Sequence, residues 1–511
     1  MSMNLPAKLF LMLVSGFLLS LSAPGYNLWF LAWICLSPLF IIINTSKKIN
    51  EAVIYSFIFG FAYNFWYLHW LFSLHPLSWL GFNKPSSILI SLFVHTAVSV
   101  LNSLYFVIFA IIVRYLKKAP FNPYNEGIPN IMLNSFLWVL IFNKIQEWEI
   151  LFGFPWTLIE YSQYKNIFLI QIAECFGSLS IGFLIVIFNF VFSELLIWMF
   201  NIERIAGRYV SRDPGQLETI FKGFALIIVL ISFSLFTGIF LYGINKQHFS
   251  NLSQSVCVLQ GNLPLKVTRG GKQDISFAKK TYSGLLSNNN AKLLVIPEGA
   301  LPVVFDQDVN VQYWLKTVAK NKQADIISGS YCGENEKLTN CAVLFSPQKN
   351  KFFHYEKERL VPFGEYTPFS WILPQFLKRF ASNLIGEGFS KGRETLPIKT
   401  SIGNAGINIC FELIFPRIVR KHSLEGANLL INLSDLSWFN NDRIKQQFLA
   451  FAVFRAIENR RPVIIAANNG ISAFIDQSGK INSQSIPNTQ GVLIDWINPN
   501  NKITFYSKYG W

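Results

Sequence analysis

The sequence predicts a multi-pass α-helical membrane bundle over residues 1–245, followed by an α/β domain over residues 246–500. Three observations carry that expectation. The 511 residues are 51% hydrophobic and only 14% charged, where ordinary globular chains carry about 25% charge. Seven apolar stretches long enough, or nearly so, to cross a bilayer fall in the first half. Beyond about residue 246 these give way to short β-branched runs separated by helical patterns.

The apolar stretches lie at roughly 9–23, 27–44, 52–74, 87–113, 129–146, 167–200 and 223–243. The first has the length of a cleavable secretory signal with Lys8 at its start, but six spans follow it, which favours a retained helix. Loop charges then orient the bundle. Counted on alternate sides, one face holds Lys8, Lys47, Lys48, Arg114, Lys117, Lys118, Arg204, Arg208, Arg212 and Lys222. The other holds Lys84, Lys144 and Lys165. Positive charge marks the cytoplasmic side, so the N-terminus is expected there and the odd number of spans delivers the second half outside. The net charge of +15 forms no concentrated basic stripe and accompanies no nucleic-acid motif. Lipid bilayer with anionic phospholipid is the expected neighbour. A transporter is disfavoured, because the span interiors hold few charges and show no paired inverted repeat.

In the second half, "SVCVLQG", "KLLVIPEG", "ADIISGSY" and "CAVLFSP" are bounded by Gly, Pro and Asn, as strands are. "DVNVQYWLKTVAKNK" and "IKQQFLAFAVFRAIENR" carry helical periodicity between them. Strand and helix alternating over this length describe one α/β domain. The six cysteines, Cys35, Cys175, Cys257, Cys332, Cys341 and Cys410, form no CxxC and no zinc spacing, so neither metal nor cofactor is expected. Cys332 and Cys341 flank a hairpin-like "GENEKLTN"; they pair if that loop lies in an oxidising compartment, and two free thiols fit equally well.

Three residues follow strand-like runs, where α/β folds display functional groups. Glu298 in "LLVIPEGALP" is a carboxylate at the end of a buried run, costly unless paired or used. Its ordinary structural alternative is a helix-start acid. Lys357 stands in "YEKERLVPFGEYTPF" with Glu365; taken alone it is a solvated charge. Cys410 in "GINICFELIFPRIVR", two residues before Glu412, is by itself an inert buried thiol. As a set they change meaning, since a thiol nucleophile needs a base and a cation for the oxyanion.

The order Glu298, Lys357, Cys410, spaced 59 and 53 residues apart, with "PEGALP", "KERLVPFGEY" and "NICFELIFP", resembles the carbon–nitrogen hydrolase (nitrilase) superfamily. That resemblance implies a Glu-Lys-Cys triad on an αββα sandwich. Joined to a membrane bundle, the whole chain resembles the apolipoprotein N-acyltransferase family, with further agreement in "VLQGNLP", "GFPWTLIEYSQ", "NLSDLSWF" and "FRAIENRRPVIIAANNGISAFID". The resemblance implies a bacterial inner-membrane enzyme, expected to act as a monomer. Its acyl donor would be a phospholipid, favoured at sn-1 of phosphatidylethanolamine, and its acceptor a diacylglyceryl-modified apolipoprotein. It implies Glu298 as general base and acid, Lys357 as oxyanion stabiliser and Cys410 as nucleophile. Glu365 and Glu412 become supporting acids, and Trp438 and Phe439 an aromatic pair for the acyl path or plain core.

The chain departs from the family pattern at several positions. Phe411 stands where many relatives have tyrosine, Arg359 where histidine is common, Asp435 and Leu436 where an Asn-Asp pair is usual, and Gln447 where histidine is frequent. The family's eighth helix would begin within 501–511, where the sequence runs "NKITFYSKYGW". Two other readings keep the same residues: a membrane-anchored amide or nitrile hydrolase, and a non-catalytic scaffold with a vestigial triad.

Overall fold

The computed structural model describes residues 5–78, 81–118, 127–148, 153–200, 214–246, 253–268, 272–287, 289–333, 337–368, 375, 388–393 and 396–510. Arg204, Arg208 and Arg212, part of the loop-charge expectation, lie outside them. Contacts divide the chain into two units: the first spans Met1–Pro76, Lys84–Ala173 and Ser178–Phe240, and the second Leu77–Asn83, Glu174–Gly177 and Leu241–Trp511.

In the first unit, the apolar stretches form helices at Leu5–Ser20, Ser37–Thr45, Ile49–Tyr67, Lys84–Lys118, Gly127–Val139, Leu179–Met199 and Pro214–Asn245. Among the described residues, four helices, Lys84–Lys117, Gly127–Glu147, Leu179–Met199 and Gly215–Asn245, are long and apolar enough to cross a membrane. The regular α-helix breaks off inside four of the expected stretches, 27–44, 52–74, 129–146 and 167–200; Ile49–Tyr67 gives way to a 3-10 turn, His69–Leu74, and Gly127–Val139 to a π turn, Leu140–Lys144. The 27–44 stretch is broken into a short 3-10 turn, Trp29–Trp33, and the helix Ser37–Thr45, which restarts with proline in its first turn. The 167–200 stretch is α-helical throughout only from Leu179, because Gly177 takes φ +73°, a backbone that ends a right-handed helix.

Buried amides join these helices. Asn189 donates to the Ala32 carbonyl at 2.9 Å and accepts from the Leu36 N–H at 3.0 Å, tying Leu179–Met199 to the broken segment. Phe40 stacks on Phe190 at 3.7 Å. Pro214–Asn245 instead exposes Phe221, Ile228, Phe233, Phe236 and Phe240, a surface suited to lipid rather than water.

The second unit holds two six-stranded sheets. The first contains β1 (Gln254–Gln260), β2 (Leu293–Ile296), β3 (Asp325–Cys332), β4 (Thr339–Ser346), β5 (Lys351–Glu356) and β12 (Gly491–Ile497), in the order β12-β1-β2-β3-β4-β5. The second contains β6 (Ile398–Lys399), β7 (Asn404–Ile409), β8 (Leu429–Ser434), β9 (Val463–Ala467), β10 (Ala473–Ile475) and β11 (Ile481–Gln484), in the order β11-β10-β9-β8-β7-β6. β1, β2 and β3 run parallel, as do β7, β8 and β9. Their inward residues, including Val258, Val295 and Leu344 from one sheet and Ile407, Ile431 and Ile464 from the other, form one core between the sheets. A second core lies under the helices Lys272–Leu286 and Val309–Lys322 on the first sheet's outer face. Helices Pro416–Leu424 and Asp442–Asn459 pack on β7, β9 and β10 of the second sheet. The expected αββα sandwich is therefore the observed architecture.

Cys332 and Cys341 are joined as a disulfide across the β3–β4 turn, which settles the alternative left open by the sequence. Their separation of 9 residues corresponds to about 2.5 kcal/mol of stabilisation on the chain-entropy scale. Reduction should lower the melting temperature of the purified protein by several degrees, and a Cys332→Ser, Cys341→Ser chain should melt at the reduced value with or without reductant.

Candidate active site

All three predicted residues directly follow strands of the sandwich. Glu298 lies just beyond β2, Lys357 follows β5, and Cys410 follows β7. The first two come from one sheet and the third from the other, so the site forms only where the sheets are packed together. Close approach is built in: a Cβ on Gly329 would lie 2.5 Å from both the Glu298 Cα and the Pro297 carbonyl. Only glycine lets β3 pass that near the catalytic-side backbone.

Lys357 is 1% exposed. Its Nζ donates to Glu365 Oε1 at 2.9 Å and to Glu298 Oε1 at 3.2 Å. Asn340, on β4, reaches the same two oxygens: its Nδ2 donates to Glu298 Oε1 at 2.7 Å and to Glu365 Oε1 at 2.8 Å. The second oxygens are also fixed, Glu298 Oε2 by the Asp435 N–H at 2.9 Å and Glu365 Oε2 by the Val361 N–H at 2.8 Å. The Cys410 thiol lies close enough to Glu298, Lys357 and Glu365 for all three to act on its ionisation. Every group on Glu298 is thus a donor, as a carboxylate requires.

Burial opposes the charge on Lys357, but Glu298, Glu365 and Cys410 outweigh it and hold the ammonium above its ordinary pKa. Burial raises Glu298; Lys357 pulls it back and Glu365 raises it further. Burial, then Glu298, push the Cys410 thiol well above its ordinary value, against the pull of Lys357. Cys410 therefore rests as a neutral thiol beside a base, unlike the preformed thiolate of a low-pKa cysteine. Alkylation of Cys410 by iodoacetamide should accelerate with rising pH without levelling off below pH 9.0, the ordinary thiol value. A plateau at pH 7 would contradict this arrangement.

Cys410 adopts φ +50° at the start of the 3-10 turn Cys410–Ile414. Glu412 braces that turn. Its Oε2 accepts from the Ile409 N–H at 2.7 Å and the Tyr355 hydroxyl at 2.9 Å, and its Oε1 from the N–H groups of Glu358 at 2.7 Å and Arg359 at 3.0 Å. It thereby links the cysteine turn to the segment just after Lys357. Burial pushes Glu412 up to about 7, against the pull of the Ile409 N–H and Lys357.

The remaining predicted positions divide. Phe411 is buried with its ring edge-on to Phe415 at 5.1 Å, and the Arg359 guanidinium lies over that second ring at 4.6 Å. Trp438 and Phe439 are half-buried in the turn between β8 and Asp442–Asn459, a segment that reaches Glu298 through Asp435. Sequence reasoning missed Asn340, Tyr355 and Asn432 altogether. For Asn340 a signal existed: it is a polar residue in "TNCAVLFS", a run otherwise suited to full burial, and a buried amide is costly without partners.

The four-layer sandwich and its buried Glu-Lys-Cys cluster have the form of a carbon–nitrogen hydrolase domain carried on a membrane protein. The Carbon-nitrogen hydrolase family model matches residues 267–501, and the Apolipoprotein N-acyltransferase N-terminal domain model matches residues 15–191. An apolipoprotein N-acyltransferase of Geobacter metallireducens is 30% identical over 99% of this chain and 92% of its own length. Others from Nostoc sp. and Haemophilus influenzae are each 26% identical, over 90% and 98% of this chain and 88% and 90% of theirs. A solved carbon–nitrogen hydrolase of Helicobacter pylori is 18% identical, covering 48% of this chain and 89% of that one, with a TM-score of 0.36. The chain belongs to the apolipoprotein N-acyltransferase family of bacterial membrane enzymes.

Proposed function

We propose that this protein transfers an acyl chain from a phospholipid to the α-amine of an N-terminal S-diacylglyceryl-cysteine on lipoproteins, through a thioester on Cys410. The observation that carries this reading is the buried cluster in which Glu298 accepts from the Lys357 ammonium at 3.2 Å, with Cys410 at the end of β7 near enough for both groups to act on its thiol. Cys410 Sγ attacks the ester carbonyl, at sn-1 of phosphatidylethanolamine, as Glu298 takes the thiol proton. The carbonyl oxygen becomes an oxyanion facing Lys357 and the N–H of Phe411. Collapse breaks the ester C–O bond, and protonated Glu298 returns its proton to the departing lysophospholipid alkoxide. The acceptor amine then attacks the thioester, Glu298 takes the amine proton, and Cys410 leaves as thiolate to be reprotonated. Two half-reactions through one covalent intermediate make the kinetics ping-pong.

Glu365 and Asn340 hold Lys357 and Glu298 in register, and Glu412 braces the cysteine turn. Trp438 and Phe439 line the acyl path. With the seven apolar stretches taken as crossings, the loop charges support an N-terminus on the cytoplasmic side and a periplasmic catalytic domain, acting as a monomer. Incubating membranes with labelled phosphatidylethanolamine should give a hydroxylamine-sensitive acyl adduct that a diacylated lipoprotein peptide discharges. If water discharges it as fast as the peptide, the hydrolase reading replaces this one.

A further inference from the structure

Asn432 lies on β8, directly opposite Asn408 of β7 in the parallel register, and is 1% exposed. Its Nδ2 donates to two backbone carbonyls, Asn408 at 3.3 Å and Cys410 at 3.2 Å. Both hydrogens of the amide are thus used on the chain that carries the nucleophile. The reverse amide orientation would set Oδ1 against two carbonyl oxygens, so the partners themselves decide the assignment. Oδ1 has no hydrogen-bond partner among the described residues. A half-satisfied buried amide is a poor stabiliser, which points to a role other than stability.

That role follows from peptide geometry. A trans peptide is planar, and its C=O and N–H point in opposite directions. Ile431 and Leu433 face the core between the sheets, and side chains alternate along a strand, so Asn432 faces the helical layer. It draws the Cys410 carbonyl to that side. The N–H of Phe411 is then turned to the opposite side, from which the first sheet delivers Glu298 and Lys357. Cys410 is at φ +50°, a backbone region that a non-glycine residue keeps only when its surroundings hold it there.

We infer that Asn432 is a positioning residue that locks the Cys410–Phe411 peptide against flipping and so preorganises the Phe411 N–H as an oxyanion donor. The inference rests on the thioester reading above. It predicts a separation between two reactions of the same sulfur. Thioester formation passes through an oxyanion; alkylation by iodoacetamide, which displaces iodide, does not.

Wild type, Asn432→Ala and Asn432→Leu are compared in detergent for single-turnover thioester formation from labelled phospholipid, for iodoacetamide alkylation and for melting. Deleting an oxyanion donor slows reactions by about 10²–10³. A displaced donor should therefore slow thioester formation by about ten- to a hundredfold, while alkylation stays within about twofold of wild type. Leucine keeps the volume in apolar form, so it serves if the alanine chain does not fold. Unchanged thioester formation, equal slowing of both reactions, or loss of folding in both variants overturns the inference while the thioester reading stands. A wild-type chain that forms no thioester sinks both.

Discussion

A Cys410→Ser chain should form no hydroxylamine-sensitive acyl adduct and should lose lipoprotein acylation by about 10⁴-fold or more, a typical loss when a covalent nucleophile is removed. Serine keeps the shape of the side chain, so the turn at φ +50° and the bonds of Glu412 to Ile409 and Tyr355 should persist. Chemistry is what changes. A carboxylate can take a proton from a thiol far more readily than from an alcohol, and Glu298 is the carboxylate that acts most strongly on Cys410, ahead of Glu365. Acylation would be followed on a diacylated peptide by mass spectrometry, with a melting curve as the folding control. Retained acylation in a folded Cys410→Ser chain would remove Cys410 from the mechanism.

Lys357→Met is expected to lose both activity and stability. Without the ammonium, Glu298 and Glu365 face each other through a shared donor, Asn340, at 2.7 and 2.8 Å. Breaking one side of a buried ion pair costs about 3–5 kcal/mol, and loss of an oxyanion partner slows acyl transfer by about 10²–10³. The pH dependence has a definite sign. Burial already raises Glu298, and Lys357 is what pulls it back, so its removal raises the folded-state pKa further above the unfolded value. The folded chain then keeps a proton that the unfolded chain has released. Stability is retained below the unfolded carboxylate pKa and falls as pH rises towards the raised folded value. Melting temperatures of Lys357→Met should therefore drop from pH 5 to pH 8 more steeply than those of wild type. Parallel pH profiles would show that Lys357 does not hold these carboxylates.

Local chemistry made much of this protein legible. The apolar stretches predicted helices because lipid tolerates few charges, and the β-branched runs closed by Pro, Gly or Asn marked the strands of the sandwich. Glu298, Lys357 and Cys410 were readable as candidates because each ends such a run, where burial stops and polar groups can be presented. Where turns interrupt a uniformly apolar stretch was not legible. The 27–44 stretch is broken between Trp33 and Ser37, just before Pro38, and the 167–200 stretch at Gly177, by backbone geometry that hydrophobicity does not report.

The sequence by itself determined the two-part architecture and which three residues to weigh together, since strand and helix patterns and strand ends are properties of neighbouring residues. Only the tertiary structure decided what surrounds them. Asn340 meets Glu298 across 42 residues, Tyr355 meets Glu412 across 57 and Asn432 meets Cys410 across 22. The reason is physical: a hydrogen bond between side chains depends on strand register and on how two sheets face each other, and neither is encoded in the spacing of residues along one chain.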